Sequence, residues 1–135
     1  MEGSRDFYDF FEFQFLSKTF DKLNTHDFIS LGYNFYKVHA GTINFFSHYG
    51  DQLVERLDEK LSTFDLLRVL QTFSEISSKY YKLFTQLEML FLKRFDQMTL
   101  DEMTCCACGF AISGYGSQYL FTLMEQGAIA NIQKY

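Results

Sequence analysis

The sequence predicts an all-α fold: a short right-handed superhelical stack (solenoid) of about three helical hairpins, preceded by one N-terminal helix. Three observations carry this. First, a six-residue pattern recurs as Leu23-Asn24-Thr25-His26-Asp27-Phe28, Leu61-Ser62-Thr63-Phe64-Asp65-Leu66 and Met98-Thr99-Leu100-Asp101-Glu102-Met103, each reading apolar, cap former, two variable residues, acid, apolar. The copies start 38 and 37 residues apart, which is the spacing of stacked helical hairpins. Second, the register continues without gaps through Phe35/Phe73/Phe110, Phe46/Phe84/Phe121 and Leu57/Phe95/Ile132. Third, the 135 residues contain no proline, so no helix is broken by a missing amide donor.

The first element, over 6–22, carries a mixed signal. Phe11, Phe13 and Phe15 alternate as in a strand, but Phe7, Phe11 and Phe15 lie four residues apart, and helix is the favoured reading. Phe15-Leu16-Ser17-Lys18-Thr19-Phe20-Asp21-Lys22-Leu23 resembles Phe91-Leu92-Lys93-Arg94-Phe95-Asp96-Gln97-Met98 with one extra residue. This element therefore reads as the second helix of a hairpin whose first helix is missing.

Each repeat then opens on an N-cap: Asn24, Ser62 or Thr99, with Asp27, Asp65 or Glu102 three residues on. A cap side chain accepts from an otherwise unpaired amide of the first turn, and the acid suits the positive end of the helix dipole. The first helices are expected over 25–39, 63–77 and 100–113. Their apolar faces are Phe28, Leu31, Phe35 and Val38; Leu66, Val69, Leu70, Phe73 and Ile76; and Met103, Cys106, Ala107 and Phe110, at gaps that mostly run three or four residues. Ala40-Gly41, Ser77-Ser78 and Ser113-Gly114 mark the turns. The second helices are expected over 42–58, 79–96 and 117–132, with Phe45, Phe46, Tyr49, Leu53 and Leu57 as the first apolar face. In the other two, Leu83, Phe84, Leu87, Phe91 and Phe95, then Leu120, Phe121, Met124, Ala128 and Ile132, take those positions. The organisation is one domain, 1–135, holding repeats 23–60, 61–97 and 98–135.

Composition narrows function. A formal net charge of -5 opposes general polyanion binding, which needs a basic stripe to displace counterions. No apolar run reaches the length of a bilayer span, so membrane contact is expected only peripherally, through partners. Residues 1–6 carry two acids and have neither the apolar core of a secretory signal nor the acid-poor character of a transit peptide.

The motifs that resemble chemistry favour structural roles. Cys105 and Cys108 form a C-x-x-C, but zinc needs a second ligand pair. Cys106 shares its register with Leu31 and Val69, as a small core residue does. Gly109, Gly114 and Gly116 lack the spacing and lysine of a phosphate loop, and the stretch that holds them reads as a helix end, a turn and a site of close helix approach. Asp51, Glu55, Asp58 and Glu59, interleaved with Arg56 and Lys60, read as a solvated charged face. His26, His39 and His48 read as surface residues, and Tyr33, Tyr36, Tyr80, Tyr81, Tyr115 and Tyr119 as candidates for a partner interface. No catalytic, cofactor-binding or metal-binding residue is expected, and no enzyme activity.

The apolar–cap–x–x–acid–apolar opening, the aromatic at Phe73 and the second helix with Leu83, Phe84 and Phe91 resemble the mitochondrial helical repeats of the FAST-kinase-like, octotricopeptide and heptatricopeptide type, over residues 23–132. The resemblance implies a mitochondrial location and either RNA binding or service in a large assembly. Only three repeats and an acidic balance weigh against RNA. The expected function is a non-enzymatic accessory subunit of a multi-subunit complex, respiratory-chain or ATP-synthase, whose partners are the other protein subunits. The alternative is an RNA-binding repeat protein of mitochondrial RNA processing or of the ribosome. Neither end of the stack carries the polar cap that solenoids use, so another protein is expected to cover it.

Overall fold

The computed structural model describes residues 2–17, 23–76 and 80–133. Among them the chain is helical with no strand: α1 (Glu2–Ser17), α2 (Thr25–Lys37), α3 (Ile43–Arg56), α4 (Thr63–Ser74), α5 (Tyr81–Lys93), a short 3-10 turn (Phe95–Gln97), α6 (Leu100–Ser113) and α7 (Gln118–Gln133). Helix α1 starts before the expected residue 6. The rest of its expected span, 18–22, lies outside the described residues, as do Ser77, Ser78 and Lys79 of the expected central turn.

All three N-caps form. Asn24, Ser62 and Thr99 are extended and accept from the amides of Asp27, Asp65 and Glu102. Only the third is a full capping box, because the Glu102 carboxylate also reaches back to the Thr99 amide at 2.8 Å. An Asp at the same position is one methylene shorter. Helix ends depart more from expectation. α2 stops at Lys37, and Val38 is left exposed as its C-cap, because His39 takes φ 57° and Gly41 φ 92° to turn the chain. α5 stops at Lys93, and Arg94 leads into the 3-10 turn.

The chain divides into two compact units, Met1–Arg56 and Leu57–Tyr135. In the first, α1 and α2 both pack on α3. Phe28, Ile29, Phe35, Phe45, Tyr49 and Leu53 are its buried centre. Phe35 stacks on Phe45 at 4.2 Å between ring centroids, and Tyr8 of α1 meets the same Phe35 edge-on at 4.8 Å. Tyr49 lies flat against α2 and donates its phenol hydrogen to the Phe28 carbonyl at 2.9 Å. Gly32 makes this approach possible, since a Cβ there would fall 2.1 Å from the Tyr49 ring.

In the second unit, α4 lies along α6, α6 packs on α7, and α4 and α5 form a hairpin. Leu66, Val69, Leu70, Phe73, Leu83, Phe84, Leu87, Phe91, Met103, Cys106, Phe110, Leu120 and Met124 are buried. The α4–α6 approach is close: a Cβ on Gly109 would sit 2.6 Å from Leu70. Gly127 of α7 likewise admits Phe95 and Met103, both 2.8 Å from its hypothetical Cβ. The seam residues Phe35, Phe73 and Phe110 are all fully buried and all meet aromatic rings: Phe45, Tyr80, and Phe84 with Phe91.

Candidate functional site

Two polar clamps recur with the repeats and position the helices. Arg56, at the end of α3, donates to the Leu23 carbonyl at 2.7 Å, just ahead of the cap of α2. Its guanidinium also covers the Phe28 ring, 4.2 Å from the centroid. Arg94, one repeat on, donates to the Leu61 carbonyl at 2.5 Å and the Glu59 carbonyl at 3.1 Å. Arg56 is thus not a solvated residue: it is half-buried and spent on holding its hairpin closed. The third repeat has Asn131 at this register, which bonds the Gly127 carbonyl within its own helix.

The second clamp joins α1 to the start of α3 and α5 to the start of α7. Glu12 of α1 accepts from both the amide and the hydroxyl of Thr42, each at 2.8 Å, at the start of α3. Glu88 of α5 accepts from the amide of Ser117 at 2.7 Å, at the start of α7. Thr42 and Ser117 share a register position and act as caps themselves, accepting from Phe45 and Leu120. Glu12 and Glu88 match when Phe15 is aligned with Phe91. Helix α1 therefore serves α3 as α5 serves α7.

With that alignment, Phe7 corresponds to Leu83. Leu83 is 1% exposed, whereas Phe7 is 58% exposed and continues through Phe10 and Phe13 as an outward aromatic stripe at three-residue steps. Asp6 and Asp9 flank it and are exposed as well. At the other end of the sequence, Ile132 is 59% exposed where its register partner Phe95 is half-buried beside Gly127, and Ile129 is exposed one turn earlier. Of the tyrosines expected at an interface, Tyr81 and Tyr119 are exposed. Tyr80 instead packs on Phe73 and Tyr115 stacks on Phe84 at 4.5 Å.

The remaining sequence candidates disperse. Asp51, Glu55, Asp58 and Glu59 are exposed, as are His26, His39 and His48. The hydrogen bond and charge of Lys93 hold the Glu59 carboxyl below its ordinary range. Cys106 is fully buried, and loss of solvation, reinforced by the Glu88 charge, pushes its thiol up to about 12. Cys105 and Cys108 are exposed free thiols. Gly109 is the close approach described above, Gly114 ends α6 at φ 79° and Gly116 turns at φ 100°. Among the described residues, no three or more His, Cys, Asp or Glu side chains gather as a metal-holding set, and no helix is long and apolar enough to cross a membrane.

Among the described residues the protein is helical without strands, and exposed apolar side chains occur at both ends of the sequence and also between them, at Ile43, Phe64, Tyr81 and Ile112. Comparison with known families, with characterised proteins and with solved structures finds no match.

Proposed function

We propose that the chain is a non-enzymatic helical-repeat scaffold, an accessory subunit of a multi-subunit assembly, with its three hairpins in one superhelical stack. The observation that carries this is the exposure of Phe7, Phe10 and Phe13 on a helix that repeats the polar clamp of α5. In the second unit the corresponding positions are Leu83, which is buried, Gln86, which is half-buried, and Met89, which is exposed, so Phe7 is the one whose counterpart is covered. Three phenylalanines in water forgo roughly 1.5–3 kcal/mol each, so a subunit that covers them gains affinity without reshaping this protein. The mitochondrial setting implied by the repeat resemblance belongs to the same proposal.

The test is gentle native isolation of the tagged chain from its own cells, with mass measurement, for wild type and for Phe10→Asp/Phe13→Asp. The wild type is expected in a defined larger complex. The variant is expected to be released from it with unchanged helicity and melting temperature, because both side chains are solvent-facing. A wild-type chain that runs as a monodisperse 15.9 kDa monomer, or a variant that stays in the complex, overturns the proposal.

A further inference from the structure

Cys105 and Cys108 are both exposed, and they stand one turn apart on the same side of α6, while Cys106 between them is buried. Residues three apart on a helix have Cβ atoms about 5–6 Å apart. Two sulfurs bound at about 2.3 Å to one centre lie about 3.5–3.8 Å from each other, over angles from the pyramidal one of trivalent arsenic to the tetrahedral one. Side chains of one rotatable bond reach that separation from a helical i, i+3 pair without moving the backbone. Helix α6 is ordered well beyond both residues, from the Thr99 capping box to the left-handed Gly114. The spacing between the two Cβ atoms is therefore fixed in advance, and each sulfur has one torsion with which to reach a shared centre.

The surroundings select the chemistry. The helix reads Leu-Asp-Glu-Met-Thr-Cys-Cys-Ala-Cys-Gly-Phe-Ala-Ile-Ser and carries no Lys, Arg or His. The cationic neighbours that activate a nucleophilic or redox thiolate are missing from it. Two acids, Asp101 and Glu102, occupy its first turn and disfavour an anionic ligand, which leaves uncharged thiophilic centres unopposed. Two sulfurs fall short of the four ligands of structural zinc, but they suffice for a soft ion of low coordination number.

We propose that Cys105 and Cys108 form a two-sulfur chelating site for a thiophilic ion, with trivalent arsenic the best fit. With phenylarsine oxide as the probe, both thiols add to arsenic. Two As–S bonds replace the bonds to oxygen, the two thiol protons leave with that oxygen as one water, and arsenic stays trivalent. Cys106 takes no part, because its side chain is inaccessible in the folded chain.

The experiment is titration of the reduced full chain with phenylarsine oxide, followed by intact mass, with helicity monitored throughout. One arsenical per chain is expected, retained in excess 2-mercaptoethanol and removed by 1,2-ethanedithiol. Cys105→Ser and Cys108→Ser, both surface changes, should each lower the affinity about 100-fold or more, since a second bond within one molecule gains that much over a lone thiol. Cys106→Ser should retain the adduct. Equal binding by either surface variant, loss of the adduct to the monothiol, or a requirement for Cys106 would overturn the assignment.

Discussion

Gly109 offers a test of the α4–α6 packing in which the sign of the effect carries the information. A methyl group at this position would enter the space of Leu70, 2.6 Å from its Cγ and Cδ2. Leu70 is 1% exposed, so it has little room to withdraw. Overpacking of this kind costs about 1–3 kcal/mol, whereas Gly→Ala within a helix returns about 1 kcal/mol of backbone preference. Gly109→Ala should therefore destabilise the wild type by about 1 kcal/mol. Leu70→Ala alone should cost about 2–5 kcal/mol and leave a void facing Gly109. In that background the added methyl meets open space, so Gly109→Ala should stabilise by about 1 kcal/mol. The coupling of about 2 kcal/mol is well above the scatter expected of independent sites. Urea unfolding of the four proteins, compared at constant m, supplies the numbers. A Gly109→Ala effect of the same sign and size in both backgrounds would mean that α4 and α6 do not meet at this point.

Two other outcomes follow from the site geometry. Arg94→Met keeps the packing of the side-chain stem but removes donors to two carbonyls, and should cost about 2 kcal/mol in urea unfolding. Because those acceptors are uncharged, the loss should hardly change between low and high salt, and a loss abolished by salt would refute the clamp. Cys106, with its thiol raised from 9.0 to about 12, holds its proton longer in the folded chain than in the unfolded one. Its contribution to stability is complete below pH 9 and is lost as pH rises toward 12. Cys106→Ala should flatten that alkaline decline, and iodoacetamide at pH 8 should label Cys105 and Cys108 while sparing Cys106 until the chain unfolds.

The hydrophobic register made the helices legible. Phe35, Phe73 and Phe110 had to be buried because each falls on its helix's apolar face, and the caps at Asn24, Ser62 and Thr99 placed three helix starts to the residue. What escaped was polar and distant. Arg56 and Arg94 are 38 residues apart, a step visible in the sequence, but their partners are backbone carbonyls, which no side-chain pattern reveals. Nothing in the sequence sets Glu12 and Glu88 apart, for the same reason: each bonds the entrance of another helix. The outward turn of Phe10 and Phe13 was illegible because the aromatic residues of α1 cover well over half of its circumference, more than one packed face needs, so composition cannot tell the packed part from the bare one. Helix ends such as Lys37 depended on backbone torsion at His39, where a non-glycine residue adopts the left-handed region.

The fit of Tyr49 over Gly32 bears on how this chain can change over time. The same two register positions hold Leu70 and Leu87 in the second hairpin and Ala107 and Met124 in the third. The residue types at these positions therefore differ in bulk: none with a full ring, two branched chains, a methyl with a thioether. A recombinant that paired α4 with α3 would drive Leu70 toward the Tyr49 ring, and one that paired α2 with α5 would leave a hole beside Gly32. Substitutions at 32 and 49 are consequently bound to travel together, and any lineage that enlarged one would have to shrink the other.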